Sequence, residues 1–314
     1  MKNRLVLVIN PRSSGYSLVH EKIVRNINRL NLAENQRMTY EIQTTNPLDN
    51  AEKMAKLLQD DDTVLVAGGD GTAHIATNAI IFSNKTGVKI KYTGFGNFND
   101  YAHSFSGNNS RSCLNAIKDG KVVAELKPLK IYINDEFYRL APLYATVGLT
   151  AEMAEIFEHP KVRGALKITP GRNTRLILSL LAATRFYFNH RRTNILNIKN
   201  IGLDGDECIK NKNNITDIVF MNGPRMARIM KSNYNKKHPE NFGFRVLDSS
   251  KIIKNIPFIT KGLFGFLPLK RVISAQINFK KPQDIFFQIE GESATVKNVS
   301  SINVEQSNQI INIL

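Results

Sequence analysis

The residues best placed to do chemistry begin with Val64-Leu65-Val66-Ala67-Gly68-Gly69-Asp70-Gly71-Thr72, followed directly by Ala73 to Ile81. A β-branched apolar run, three closely spaced glycines and then a stretch without Gly or Pro predict strand, tight turn and helix. Glycines let the backbone approach an anion, and the helix N-terminus adds unpaired N–H donors and its positive dipole end, so phosphate is the expected guest. Asp70 is the odd member. A carboxylate beside phosphate repels it unless Mg²⁺ or a hydrogen-bonded basic group lies between them.

Two more strand-to-turn junctions are predicted. Leu5 to Ile9 runs into Asn10-Pro11-Arg12-Ser13-Ser14-Gly15, where polar donors and one cation could meet a phosphate or simply form a turn. Val88 to Tyr92 runs into Thr93-Gly94-Phe95-Gly96-Asn97-Phe98-Asn99-Asp100-Tyr101-Ala102. Asn99 stands where G-x-G-x-x-G needs glycine, and no G-x-x-x-x-G-K-[ST] is present, so neither common nucleotide fingerprint applies. Near the end, Glu290-Gly291-Glu292 is either a solvated acidic turn or a pair able to take a proton from a hydroxyl nucleophile.

The elements that must position these residues follow from periodicity. Helical spacing over Glu21–Leu30 and Asn50–Leu58, with a strand at Tyr40–Thr45, gives the order β-α-β-α-β-α. That order implies a parallel sheet covered by helices, with ligand at the carboxyl ends of its strands. A helix over Arg111–Ile117 and a turn at Lys118–Lys121 close this α/β domain, 1–125. From Val122 the texture changes to shorter alternating runs: Leu129–Ile133, Phe137–Val147, Asn194–Ile201, Ile215–Asn222, Phe242–Leu247, Val272–Phe279 and Ile285–Ile289. They predict a mostly antiparallel β-rich domain, 126–300, followed by a tail, 301–314, that could pack back on the first domain. Leu203-Asp204-Gly205-Asp206-Glu207 lacks calcium-loop spacing and is expected as a hairpin turn.

Composition narrows the function classes. Among 314 residues, 43 Lys and Arg against 27 Asp and Glu give a formal charge of +16, suited to an anionic partner or to a generally basic surface. No helix-turn-helix, zinc-finger or RNP1 signature accompanies that charge, so a nucleic-acid partner is not expected. Cys113 and Cys208 are too few and too far apart for a disulfide framework or thiolate metal site, which suits a reducing cytosol. The short apolar N-terminal stretch does not read as a signal peptide. No apolar run reaches the ~20 residues of a membrane span; Arg172–Arg192 reads as a core helix capped by charges or as a stretch lying on anionic lipid, and Ile256–Pro268, if exposed, suits a lipid contact. His74 and His103 are expected to be structural.

Gly68-Gly69-Asp70-Gly71-Thr72, with Asn10 to Gly15 upstream, Asn99-Asp100-Tyr101-Ala102 downstream and the terminal Glu-Gly-Glu, resembles the diacylglycerol kinase catalytic domain family, which includes sphingosine kinases and bacterial lipid kinases. The Gly-Gly-Asp-Gly-Thr string is shared with NAD kinases. The resemblance implies a Rossmann-like first domain and a β-rich second one, with ATP in a cleft, Mg²⁺, and a lipid hydroxyl attacking the γ-phosphate at an anionic membrane surface. By that resemblance Asn10, Pro11, Arg12, Ser13, Thr45, Gly68, Gly69, Asp70, Gly71, Thr72, Asn97 and Asn99 hold the nucleotide. Asp70 and Asp100 anchor the metal, and Glu292 is the general base, with Glu290 beside it. The family's usual Gly-Thr-Gly-Asn-Asp is here Gly96-Asn97-Phe98-Asn99-Asp100. No Asp stands near Pro128, and Pro224-Arg225-Met226-Ala227-Arg228 replaces a glycine cluster. The alternatives are an NAD kinase-like enzyme and a catalytically weakened nucleotide- or lipid-binding homologue; homodimerisation stays open.

Overall fold

The structure, a computed structural model, describes residues 4–13, 16–30, 32–94, 99–105, 110–158, 185–186, 189, 195–204, 207–210, 214–226, 230–232, 240–248 and 267–314. The chain divides into two compact units. The first comprises Met1–Pro128, Asn222–Glu240 and Ser307–Leu314; the second comprises Leu129–Met221 and Asn241–Gln306.

The first unit opens with β1 (Leu5–Ile9), α1 (Tyr16–Asn28), β2 (Arg37–Glu41), α2 (Pro47–Ala55), β3 (Thr63–Gly68), α3 (Asp70–Ser83) and β4 (Lys89–Gly94). It continues through α4 (Asp100–Phe105), α5 (Ser110–Asp119) and β5 (Ala124–Leu126). In the second unit lie β6 (Leu129–Ile133), β7 (Glu136–Ala141), β8 (Tyr144–Gly148), α6 (Leu149–Glu158), β9 (Ile198–Leu203), β10 (Glu207–Lys210) and β11 (Ile215–Met221). The first unit regains β12 (Arg225–Met226) and β13 (Met230–Lys231), which pair with each other. The second unit ends with β14 (Phe242–Asp248), β15 (Lys270–Val272), β16 (Ser274–Ile289) and β17 (Glu292–Gln306), and β18 (Ile311–Ile313) returns to the first.

The first sheet has the order β2-β1-β3-β4-β18-β5, with β1 to β4 parallel. Its central strands are apolar without alternation because both faces are covered. Leu5, Leu7, Ile9, Leu65 and Ala67 share a core with Ile23 and Ile27 of α1 and Ile117 of α5. Val6, Val8, Val64 and Val66 alternate with them and are equally buried, while α3 packs against β1, β3 and β4. Each such side chain contributes roughly 1.5–3 kcal/mol on burial. β18 inserts between β4 and β5, parallel to the first and antiparallel to the second.

The second sheet is antiparallel throughout, in the order β15-β14-β11-β8-β16-β17-β6-β7, with β9 joined to β16 and to β10. Its core gathers Ile131, Val147, Ile201, Ile218, Phe220, Phe242, Phe287 and Ile302 among others. The expected α/β first domain and β-rich second domain are therefore both present, and Leu203 pairs with Glu207 across the expected hairpin.

Differences from the sequence expectation have local causes. α2 starts at Pro47 rather than Asn50 because Asn46 caps it, accepting from the Leu48 N–H at 3.0 Å. The run Phe137–Val147 breaks into β7 and β8 around Pro142, which has no N–H for the ladder. Val272–Phe279 and Ile285–Ile289 belong largely to one long strand, β16, with a register shift across Pro282 and a second just after it. α4 and α6 were not expected. Of the apolar stretch Arg172–Arg192 only 185, 186 and 189 are described, and 256–266 lie outside the described residues. Among the described residues no helix is long and apolar enough to cross a membrane.

Candidate active site

Register aligns four strand ends of the first unit. Ile9 lies opposite Glu41 and Ala67, and Gly68 opposite Gly94, so the loops after β1, β2, β3 and β4 leave the same sheet edge. Because β2 and β3 flank β1 on opposite sides, the order in which strands are added reverses at β1 while all of them stay parallel. This is the switch point where open α/β sheets form their ligand crevice.

The β3–α3 loop is tightly built. A Cβ on Gly68 would lie 2.4 Å from Thr72 Oγ1 and 2.5 Å from Thr72 Cβ, so only glycine fits over the buried Thr72. Gly69 is the extended N-cap residue of α3, with φ −88° and ψ −170°, and no side chain caps the helix. The N–H groups of Gly71 and Thr72 thus belong to a helix start offered to an anion. Asp70 is half-buried, and its Oδ1 accepts from the Tyr101 N–H at 3.3 Å, tying α3 to α4.

Asn10 closes the β1 loop on itself: its Oδ1 accepts from the Arg12 N–H and its carbonyl from the Ser13 N–H, both at 3.0 Å. Pro11 and Arg12 are exposed and Ser13 is half-buried. Exposed Thr45 rides on the β2–α2 loop, which is organised by wholly buried Asn50. That amide accepts from the Gln43 N–H at 3.1 Å and donates to the Thr44 and Asn46 carbonyls at 3.0 and 2.8 Å. Asn99 has φ +56° and its carbonyl accepts from the His103 N–H at 2.9 Å, opening α4. Asn97 and Phe98 lie outside the described residues.

Asp100 is 3 % exposed at the start of α4. The helix is seated by aromatic packing, with the rings of Tyr101 and Tyr92 4.8 Å apart and Tyr92 hydroxyl 2.9 Å from Thr77 Oγ1. Asp70 opens α3 and Asp100 opens α4, the helices that follow β3 and β4. Among the described residues no cluster of three or more His, Cys, Asp or Glu could hold a metal alone. Two carboxylates are the number that Mg²⁺ sites completed by phosphate oxygens and waters commonly draw from a protein.

Glu290 and Glu292 belong to the second unit. Ile289 pairs with Glu292, leaving Glu290 and Gly291 as a two-residue hairpin loop with φ +52° and +93°. Positive φ at both central residues is the type I′ turn, whose twist matches the strands. Glutamate is unusual there. Its carboxylate is buried and accepts the Leu143 N–H, which anchors the turn. Glu292 begins β17, with its Oε2 3.3 Å from Arg139 Nη1. The Arg139 guanidinium lies 5.6 Å from the Tyr138 ring centroid. Burial pushes the Tyr138 hydroxyl pKa up, Arg139 lowers it and Glu292 raises it.

Sequence reasoning overlooked Asn50, Tyr92 and Arg139. A buried polar residue in a predicted helix was the only mark of Asn50, and nothing local marks Arg139, whose partner is 153 positions away.

A parallel α/β unit with a glycine-rich β3–α3 loop, joined in one chain to an antiparallel β unit, is a fold this chain shares with solved diacylglycerol kinases. Residues 4–125 match the family model described as the diacylglycerol kinase catalytic domain. A solved diacylglycerol kinase from Bacillus anthracis str. Sterne shares the fold, with a TM-score of 0.64 at 15 % identity, over 99 % of this chain and 96 % of that one. A candidate diacylglycerol kinase from the same organism gives a TM-score of 0.67 at 17 % identity, covering 99 % and 97 %. No curated protein matches the sequence.

Proposed function

We propose that the chain is an ATP- and Mg²⁺-dependent lipid kinase that transfers the γ-phosphate to the hydroxyl of a diacylglycerol-like lipid or long-chain alcohol. The observation that carries the reading is the uncapped start of α3 behind Gly68 and Gly69 at the β1/β3 switch point, within the segment that matches the kinase family. Phosphoryl transfer asks a protein mostly for positioning and charge neutralisation, and this loop supplies backbone donors for both.

In this reading Asn10, Pro11, Arg12, Ser13, Thr45, Gly68, Gly69, Gly71, Thr72, Asn97 and Asn99 hold the nucleotide. Asp70 and Asp100 hold Mg²⁺, which when bound neutralises phosphate charge. The acceptor oxygen bonds to the γ-phosphorus as the bond to the β–γ bridging oxygen breaks, and Glu292 takes the hydroxyl proton; ADP and a phosphorylated lipid result. Glu290 keeps the turn rigid. The net charge of +16 favours work at an anionic membrane surface, as a cytoplasmic, peripherally bound enzyme.

The test is transfer from γ-labelled ATP, with Mg²⁺, to vesicles carrying diacylglycerol, ceramide, sphingosine or a long-chain alcohol, with NAD in parallel. A labelled lipid supports the reading. Labelled NADP without labelled lipid, or ATP binding with no product, overturns it.

A further inference from the structure

We propose that Arg139 is the positioning residue of Glu292, fixing the carboxylate so that one oxygen stays available to the acceptor hydroxyl; this rests on the kinase reading above. Arg139 lies on β7 opposite Ile131 of β6, and Glu292 is the first residue of β17. Their side chains are 25 % and 36 % exposed, a partly desolvated pair. A pair this accessible adds little stability, so its worth lies in orientation.

The orientation is passed outward from the core. Phe287, 2 % exposed, meets the Tyr138 ring edge-on at 5.6 Å and 70°. The Arg139 guanidinium lies over that same ring at 5.6 Å from its centroid, and its Nη1 holds Glu292 Oε2. A packed aromatic pair thus restricts the cation, and the cation restricts the carboxylate. Glu292 Oε1 takes no hydrogen bond from a described residue. Glu290 differs in both respects, being 7 % exposed and engaged with the Leu143 N–H. Of the two carboxylates, only Glu292 combines a held oxygen, an open one and solvent access. A proton acceptor oriented by a third group is the arrangement that activates a hydroxyl nucleophile.

The experiment compares wild type, Arg139→Met, Arg139→Lys, Arg139→Ala with and without guanidinium ion, and Glu292→Gln. Each is assayed with Mg·ATP and the panel lipid that wild type phosphorylates fastest. The expected result is a kcat about tenfold or more lower in Arg139→Met, with KM for ATP within about twofold, since misplacing a reacting group costs up to ~10²-fold. Arg139→Lys recovers part of the loss, and guanidinium raises turnover of Arg139→Ala. Full kcat in Arg139→Met alongside an inactive Glu292→Gln overturns the proposal while leaving the kinase reading intact. A loss that neither lysine nor guanidinium repairs, accompanied by a lowered melting temperature, assigns Arg139 to the fold and also overturns it. Full turnover in Glu292→Gln removes the base reading itself, and Arg139 with it.

Discussion

Asp217→Asn should remove a pH dependence of stability built into the second unit. Asp217 is wholly buried in β11, next to the register shift after Ile215 and opposite Gly148 of β8. Its Oδ1 accepts the N–H of Thr150 in the first turn of α6, while Oδ2 has no hydrogen-bond partner among the described residues. Burial pushes its pKa from 3.8 up to about 7; the Thr150 hydrogen bonds pull it down, Glu152 adds to the rise and Thr216 opposes it. The folded chain therefore keeps a proton that the unfolded chain releases near pH 4. The resulting stability is fully present below about pH 4 and is lost as pH rises through about 7. A shift from 3.8 to about 7 at ~1.4 kcal/mol per unit amounts to ~4 kcal/mol, a large share of the 5–15 kcal/mol typical of a domain. Asparagine keeps the shape and cannot ionise. Urea unfolding followed by circular dichroism at intervals from pH 4.5 to 8 should show wild type losing stability relative to Asp217→Asn. Parallel curves, or wild type gaining on the variant as pH rises, would mean that the α6 terminus outweighs burial and would refute the reasoning.

Gly68→Ala places a methyl 2.4 Å from Thr72 Oγ1 and should cost ~1–3 kcal/mol of stability together with nucleotide affinity. Adding Thr72→Gly should return the melting temperature, read by calorimetry, without returning ATP binding. Glu292→Gln should lower kcat by about 10²–10⁴-fold while ATP affinity, measured by titration calorimetry, is unchanged. Asp100→Asn should raise the Mg²⁺ concentration for half-maximal turnover by roughly tenfold, visible in a metal titration at fixed ATP. Tyr92→Phe removes the hydroxyl contact with Thr77 and should cost about 1 kcal/mol in denaturant unfolding.

The parallel half was legible because its central strands, β1 and β3, are short continuous apolar runs that lead into asparagine or glycine, signals confined to one window of sequence. Asn10 and Gly68 could be placed at strand ends for the same reason. β2, with polar Arg37, Thr39 and Glu41, instead begins a few residues before the strand expected at Tyr40–Thr45. The antiparallel half was less legible. Its unit of organisation is the pairing between strands, and neither the fusion of two runs into β16 nor the opposition of Arg139 to Glu292 leaves a local trace. The helix α6 was missed because Gly148, with φ +101°, turns the chain directly from β8 into a helix without a linker. There a Cβ would lie 2.1 Å from the Thr216 carbonyl oxygen, so the turn is dictated by a strand met 68 positions later. Asn50 was invisible as a hub because most of its partners are backbone groups, which every sequence possesses.

The insertion of β18 between β4 and β5 sets an order of events. Residues 311–313 follow every strand of the second unit in the chain, yet the Leu314 N–H bonds the Ile90 carbonyl and the Lys91 ammonium holds the Leu314 carbonyl at 2.5 Å. Until that strand emerges from the ribosome, the β4 edge has lost its neighbour and β5 has nothing to pair with. The β3–α3 loop can form its local turn early, but the sheet beneath it closes last. Folding of the first unit is therefore a long-range closure, slow in the way high contact order makes it slow. A fragment cut at residue 125, though it contains the whole matched segment, would carry an open strand edge prone to self-association.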